Sequence, residues 1–174
     1  VDHCILVSSG GVAIEILMRI FKGSDKNIFC SHIRHICPAQ PFSILRSGVI
    51  PLPCNPDKNP FSLPKKIYDK SNKKNLVLST HFWGYPENLS NISQDYTIED
   101  CCLSFDSYQT NGAHVGTQGI AGIFSFGYLK PIQSGEGGLI TCKNYSDYKI
   151  LLSLRAHGWS RDIDKINNNK KDSF

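Results

Sequence analysis

The sequence predicts an α/β fold, a mainly parallel sheet with helices on both faces. Three observations predict it. Short β-rich runs recur along the chain, separated by segments long enough to hold helices. Several runs are apolar at consecutive positions, such as Leu76-Val77-Leu78, the pattern of strands covered on both sides. The intervening segments carry helix start and stop residues, Ser9 at one end and Gly48 and Gly158 at others.

Taken in order, the first helix is expected after the turn Ser8-Ser9-Gly10-Gly11. Ser9 is placed to cap it, and Val12, Ile16, Met18, Ile20 and Phe21 define its expected buried face. A strand follows at residues 27–30, then a helix at 39–47 stopped by Gly48, and a strand at 49–52. Residues 55–75 are rich in Pro, Lys and Asn and read as a surface excursion, with a short helix at 63–69. Further strands are expected at 76–80, 97–101, 123–126 and 139–142, and a last helix at 145–156 with Gly158 beyond it. There is no internal repeat.

Composition narrows the class. A chain of 174 residues, 40% hydrophobic and 20% charged, is that of an ordinary globular domain with a real core. The net charge of +4 gathers in lysine-rich stretches at 65–74 and 165–171, which lack the interleaved aromatics of a nucleic-acid track. The longest apolar run, 14–21, is interrupted by Glu15 and Arg19 and falls short of the roughly 20 residues that span a bilayer. Seven cysteines without a CxxC pair fit a reducing, cytoplasmic setting. Neither GxGxxG nor GxxxxGK[ST] is present, which counts against a nucleotide-binding module.

The chemistry concentrates in residues 116–141. A strand ending Phe124-Ser125-Phe126 places Ser125 at the mouth of the sheet, five residues before Lys130, and the turn Gly135-Glu136-Gly137-Gly138 leads into the next strand. Ligands of open α/β sheets bind beyond the carboxyl ends of strands, where a lysine that can lose its proton is a nucleophile. Asp100 closes the preceding strand, and a carboxylate beside a pyridine nitrogen keeps that nitrogen protonated. Lys130 and Asp100 then hold opposite ends of one cofactor, and the amides at Gly10 and Gly11, opening a helix, suit its phosphate. Taken singly, each feature has a plainer reading: a surface lysine, a turn aspartate, an ordinary N-cap.

Together these pieces resemble the sugar aminotransferases known as DegT/DnrJ/EryC1/StrS. The series comprises Ser9-Gly10-Gly11, the His-x-x-Gly-x-Pro pattern from His81 to Pro86, Glu99-Asp100, and the Val-Gly-Thr-x-Gly run from Val115 to Gly119. It continues with Phe-Ser-Phe, Lys130 and Gly-Glu-Gly-Gly, and ends with Leu-Arg-x-His-Gly from Leu154 to Gly158. The resemblance implies the large domain of the type I, aspartate-aminotransferase fold, with pyridoxal 5'-phosphate as cofactor. It implies that Lys130 attaches the cofactor, that Ser125, Gly10 and Gly11 bind its phosphate, and that Asp100 faces the pyridine nitrogen. The implied reaction moves an amino group, from glutamate, to a nucleotide-linked keto-deoxysugar in surface polysaccharide or glycan biosynthesis. Implied too is a homodimer with the site at the subunit interface. The family's dehydratases look as if they carry histidine in place of this lysine, so Lys130 points to amino transfer.

The departures are specific. Leu103 stands where the family has Gln, Glu or His, Gly11 replaces a threonine, and Cys37, or else His35, falls where an aromatic ring covers the cofactor. Family members also extend beyond both ends of the matched region. Residues 1–160 are therefore expected to form an incomplete cofactor-binding domain and 161–174 a polar linker. An inactive remnant or partner-binding lobe is the alternative reading.

Overall fold

The computed structural model describes residues 3–89 and 92–158; the expected linker at 161–174 lies outside the described residues. The elements are β1 (His3–Val7), α1 (Gly10–Lys22), β2 (Phe29–Ile33), α2 (Ala39–Arg46), β3 (Ile50–Cys54), α3 (Lys65–Asp69), β4 (Asn75–Thr80), β5 (Thr97–Asp100), β6 (Ala121–Ser125), β7 (Gly138–Cys142) and α4 (Tyr145–Arg155). Seven strands form one sheet in the order β1-β7-β6-β5-β4-β2-β3. β3, β2, β4, β5 and β6 run parallel, and β7 is antiparallel to both of its neighbours. The carboxyl ends of β4, β5 and β6 thus meet the start of β7 and of α1 along one edge. No described helix is long and apolar enough to cross a membrane.

Side chains alternate across each strand. Cys30, Leu76, Leu78, Ile98, Ala121, Ile123, Ile140 and Cys142 face a core completed by Ala13, Ile14, Leu17 and Met18 of α1, Ile44 of α2 and Leu151 of α4. A buried aliphatic side chain contributes about 1.5–3 kcal/mol, so this layer anchors the three helices. On the opposite face Val77 packs with Ile33, Leu63, Tyr68, Phe82 and Leu89, which brings α3 to that side. Both faces are covered, one by three helices and the other by α3 and loops.

Three details differ from the sequence-based expectation. β1 was not expected, although Cys4-Ile5-Leu6-Val7 is an apolar run; it is the edge strand of the sheet, with Cys4 and Leu6 exposed. The most deeply buried side chains of α1 are Ala13, Ile14, Leu17 and Met18, while Val12, Ile16, Ile20 and Phe21 are half-buried. This helix has two apolar faces, one on the sheet and one toward α4, where Val12 and Ile16 border a groove with Leu154 and Arg155. The excursion at 55–75 is anchored: Tyr68 is fully buried, and its hydroxyl donates to Ser79 Oγ at 3.1 Å.

The loops beyond the sheet are organised by Glu99, which is 0% exposed. Its carboxylate accepts from the backbone N–H groups of Gly116 (2.9 Å), Gln118 (2.7 Å) and Gly119 (2.7 Å) and from Gln109 Nε2 (3.4 Å). His81 Nδ1 accepts from the Glu87 N–H at 2.8 Å, so the ring proton sits on Nε2, which donates to Glu99 at 2.9 Å. Burial alone would raise the Glu99 carboxyl. The hydrogen bond from His81 and the N–H groups of Gly119 and Gly116 outweigh it and hold the group below its ordinary value.

Glu99→Gln places an amide where every partner is a donor and is expected to lower the unfolding free energy by about 3 kcal/mol in urea denaturation. The pH dependence carries a definite sign. With the folded value depressed, the contribution of Glu99 is fully present above the unfolded value near 4.5 and is lost as pH falls through the lower folded value. Acid should therefore narrow the stability gap between wild type and Glu99→Gln.

Candidate functional site

Asp100 follows Glu99 in β5, and alternation turns its side chain to the other face of the sheet, toward α1 and α2. There a cavity of about 380 Å³ opens, bounded by Ser9, Gly10 and Gly11 at the start of α1, Cys37 and Gln40 near α2, Thr80 and Asp100 at the strand ends, and Ser125 and Lys130 from β6 and beyond. All five residues singled out from the sequence, Gly10, Gly11, Asp100, Ser125 and Lys130, line this one space. Phe82, Cys102, Leu103, Tyr128, Leu129 and Glu136 border it as well.

The end at the start of α1 is built from close contacts. Ser9 is extended and accepts the Val12 N–H on its Oγ at 3.2 Å, which starts the helix. First-turn N–H groups have no intrahelical acceptors, so the amides of Gly10 and Gly11 belong to a turn suited to an anion. A methyl group on Gly10 would lie 2.9 Å from Ser125 Cβ and 3.0 Å from Cys102 Sγ, and one on Gly138 would lie 2.5 Å from the Ser9 carbonyl carbon. Only glycine lets the start of α1 sit this close to the ends of β6 and β7.

At the other end Asp100 is 2% exposed. One carboxylate oxygen accepts the Cys102 N–H at 2.9 Å and the other accepts from Gln40 Nε2. The hydroxyl of Thr80, the register partner of Asp100, donates to Gln40 Oε1 at 3.4 Å. Lys130 is half-buried on a turn closed by its own N–H to the Gly127 carbonyl at 3.0 Å. The loop carrying it is tied down where Phe126 N–H donates to Gly137 O and Ser134 N–H to Phe126 O, both at 2.9 Å. Burial, with the Asp100 charge next, pushes the Cys102 thiol well above its ordinary value, while the positive charge of Lys130 acts in the opposite direction. Amine, carboxylate and thiol thus share one electrostatic neighbourhood.

Of the family departures, Leu103 and Gly11 both line the cavity, as does Cys37, whereas the His35 ring stacks on Phe82 with centroids 5.8 Å apart. Gln40 and Thr80 escaped the sequence reading. Gln40 lies 60 residues from Asp100, and the cue at hand was polarity at a helix position that must face the sheet. A second cluster, His81, Glu99 and Cys101, has ligand-type atoms within 4.8 Å of one another. Its donors are already spent: both ring nitrogens of His81 and both carboxylate oxygens of Glu99 are hydrogen-bonded, and burial pushes the Cys101 thiol well up.

Residues 1–172 match the DegT/DnrJ/EryC1/StrS aminotransferase family. Over 111 residues the chain is 35% identical to GDP-4-keto-6-deoxy-D-mannose 3-dehydratase of Escherichia coli O55:H7, covering 61% of this chain and 28% of the relative. Over 167 residues it is 25% identical to GDP-perosamine synthase of Escherichia coli O157:H7, covering 91% of this chain and 45% of the relative. A crystal structure of GDP-4-keto-6-deoxymannose-3-dehydratase with a trapped PLP-glutamate geminal diamine superposes with a TM-score of 0.79 at 24% identity, over 93% of this chain and 45% of that one. The chain spans less than half the length of these relatives.

The close packing at the helix start can be tested without any ligand. Gly10→Ala should push α1 off the sheet edge and destabilise the fold by about 1–3 kcal/mol, whereas Gly11→Ala, whose nearest contact is Ser43 Oγ at 3.2 Å, should cost clearly less in thermal denaturation.

Proposed function

The chain belongs to the DegT/DnrJ/EryC1/StrS aminotransferase family, and from that premise we propose that it is the cofactor-carrying part of a pyridoxal-phosphate-dependent sugar aminotransferase. One observation carries the proposal: an amine, a buried carboxylate and an anion-ready helix start border one cavity of about 380 Å³. The donor set fits pyridoxal phosphate. Ser125 and the amides of Gly10 and Gly11 hold the phosphate, Asp100 meets the pyridine nitrogen, and the Lys130 amine reaches the aldehyde side. When bound, the cofactor supplies an electron sink for charge developing on the substrate carbon. Asp100 keeps a proton on the ring nitrogen, and the Lys130 amine, once free, takes and returns a proton at the reacting carbon.

Kinship supports a substrate class. A nucleotide-linked keto-deoxysugar is the acceptor and an amino acid, glutamate, the donor, in a pathway that builds surface polysaccharide or glycan. The enzyme works in the cytoplasm as a homodimer. Lys130 favours amino transfer over the 3-dehydration named for the 35% identical relative. A second reading, a catalytically inactive or partner-binding lobe, draws on Cys37, on the cavity wall where the family's aromatic ring is expected, and on the apolar Leu103 beside it.

Titration of the purified chain with pyridoxal phosphate separates the two readings. The expected result is a visible absorbance band that borohydride removes, with the reduced cofactor recovered on the Lys130 peptide. Lys130→Ala should abolish the band, and Asp100→Asn should weaken binding at least about tenfold, the loss of a charge-assisted hydrogen bond. Absence of the band from the wild-type chain would leave the second reading in its place.

A further inference from the structure

The Gln40 side chain is 6% exposed, lines the cavity, and its amide nitrogen donates to the Asp100 oxygen not engaged by the Cys102 N–H. Its orientation is fixed from both ends. A carboxylate only accepts, so the NH₂ must face Asp100, and the Thr80 hydroxyl donates to the carbonyl oxygen at 3.4 Å. The carboxylate therefore has three donors within the protein, the Cys102 N–H, the Gln40 amide and the Cys102 thiol, and of its roughly four lone-pair sites keeps one for a further donor. That is the state required of a carboxylate that will take a ring N–H: ionised, held against rotation, and not saturated.

We propose that Gln40 is a positioning residue, which together with Thr80 presents the Asp100 carboxylate to the ring nitrogen of the bound cofactor. The proposal rests on the cofactor reading above and extends it to a side chain of α2. Without the Gln40 amide, Asp100 would keep only its bonds to the Cys102 N–H and thiol, both from one residue, and could turn its second oxygen away from the cavity. Fixing a charged acceptor before the ligand arrives removes the ordering cost from the binding step. Gln40 acts through Asp100, so its effect must vanish where Asp100 no longer carries a charge.

The test is a double-mutant cycle with two probes, pyridoxal phosphate and pyridoxamine phosphate, the second binding without capture by Lys130. Gln40→Met, close in volume but without a donor, should weaken both probes about tenfold in the wild-type background and much less in the Asp100→Asn background. Thr80→Val should reproduce a smaller part of the loss. In the cofactor-free protein, the Gln40 side-chain amide protons should resonate downfield of solvent-exposed amides and return toward the ordinary position in Asp100→Ala. Failure of the wild-type chain to bind either probe overturns the cofactor reading and this inference with it. Wild-type binding that Gln40→Met leaves unchanged, or weakens equally in both backgrounds, overturns the inference alone. If Asp100→Asn abolishes binding outright, the amide resonance decides, and an ordinary solvent position overturns the proposal.

Discussion

A carboxylate wholly shielded from water must be met by donors, and the way Glu99 is met sets the layout of the molecule around it. Three parts of the chain supply them: His81, Gln109, and the turn carrying the amides of Gly116, Gln118 and Gly119 all converge on the side chain of β5. Leaving such a charge unpaired inside the protein costs several kcal/mol. A one-residue slip of β5 would exchange the faces of Glu99 and Asp100, stranding one carboxylate and removing the other from the cavity. Glu99 itself does not line the cavity, yet its satisfaction holds Asp100 in place on the far side of the sheet.

The second constraint is close approach. β7 runs against its neighbours, so its first residue, Gly138, lies beside Ser125, the last residue of β6. Ser9 bridges to Gly137 in the same turn, and α1 therefore begins directly over the sheet edge. The helix dipole falls off within a turn, so an anion gains from it only if it can reach the first amides. Gly10 and Gly138 permit that approach, and the loop carrying Lys130 is closed by the same two strands. The helix-start end and the amine end of the cavity are thus produced by one piece of local topology.

Much of this was legible in the sequence. The strands of the parallel sheet were readable because consecutive apolar residues such as Leu76-Val77-Leu78 mean cover on both faces, and α1 announced itself through Ser9 and the glycines. Lys130, Asp100 and Ser125 could be placed together because carboxyl ends of strands share an edge. What escaped was long-range or at the margin. β1 sits at the sheet edge with alternate residues exposed, the two apolar faces of α1 answer to two different partners, and the pairing of Gln40 with Asp100 spans 60 residues. Glu99 was visible only as half of a dipeptide, since nothing local indicates that His81 and the Gly116 turn will close on it.

Placing a cofactor and completing a reaction make different demands on this architecture. Placement, on the proposed reading, needs fixed partners at the ring nitrogen, the phosphate and the aldehyde, and the groups assigned to them, Asp100, the start of α1 and Lys130, are buried or tied down. Reaction needs those same charges to act in a site from which water is excluded, where electrostatic interactions are strong. Tyr128 and Leu129, on the wall beside Lys130, are each 71% exposed, and Cys37 on the opposite side is exposed as well. With the rim this open, solvent reaches the Lys130 side of the cavity, while the Asp100 carboxylate at its other end stays buried. Cofactor binding and turnover are therefore separable properties, and capture of pyridoxal phosphate at Lys130 measures the first without depending on the second.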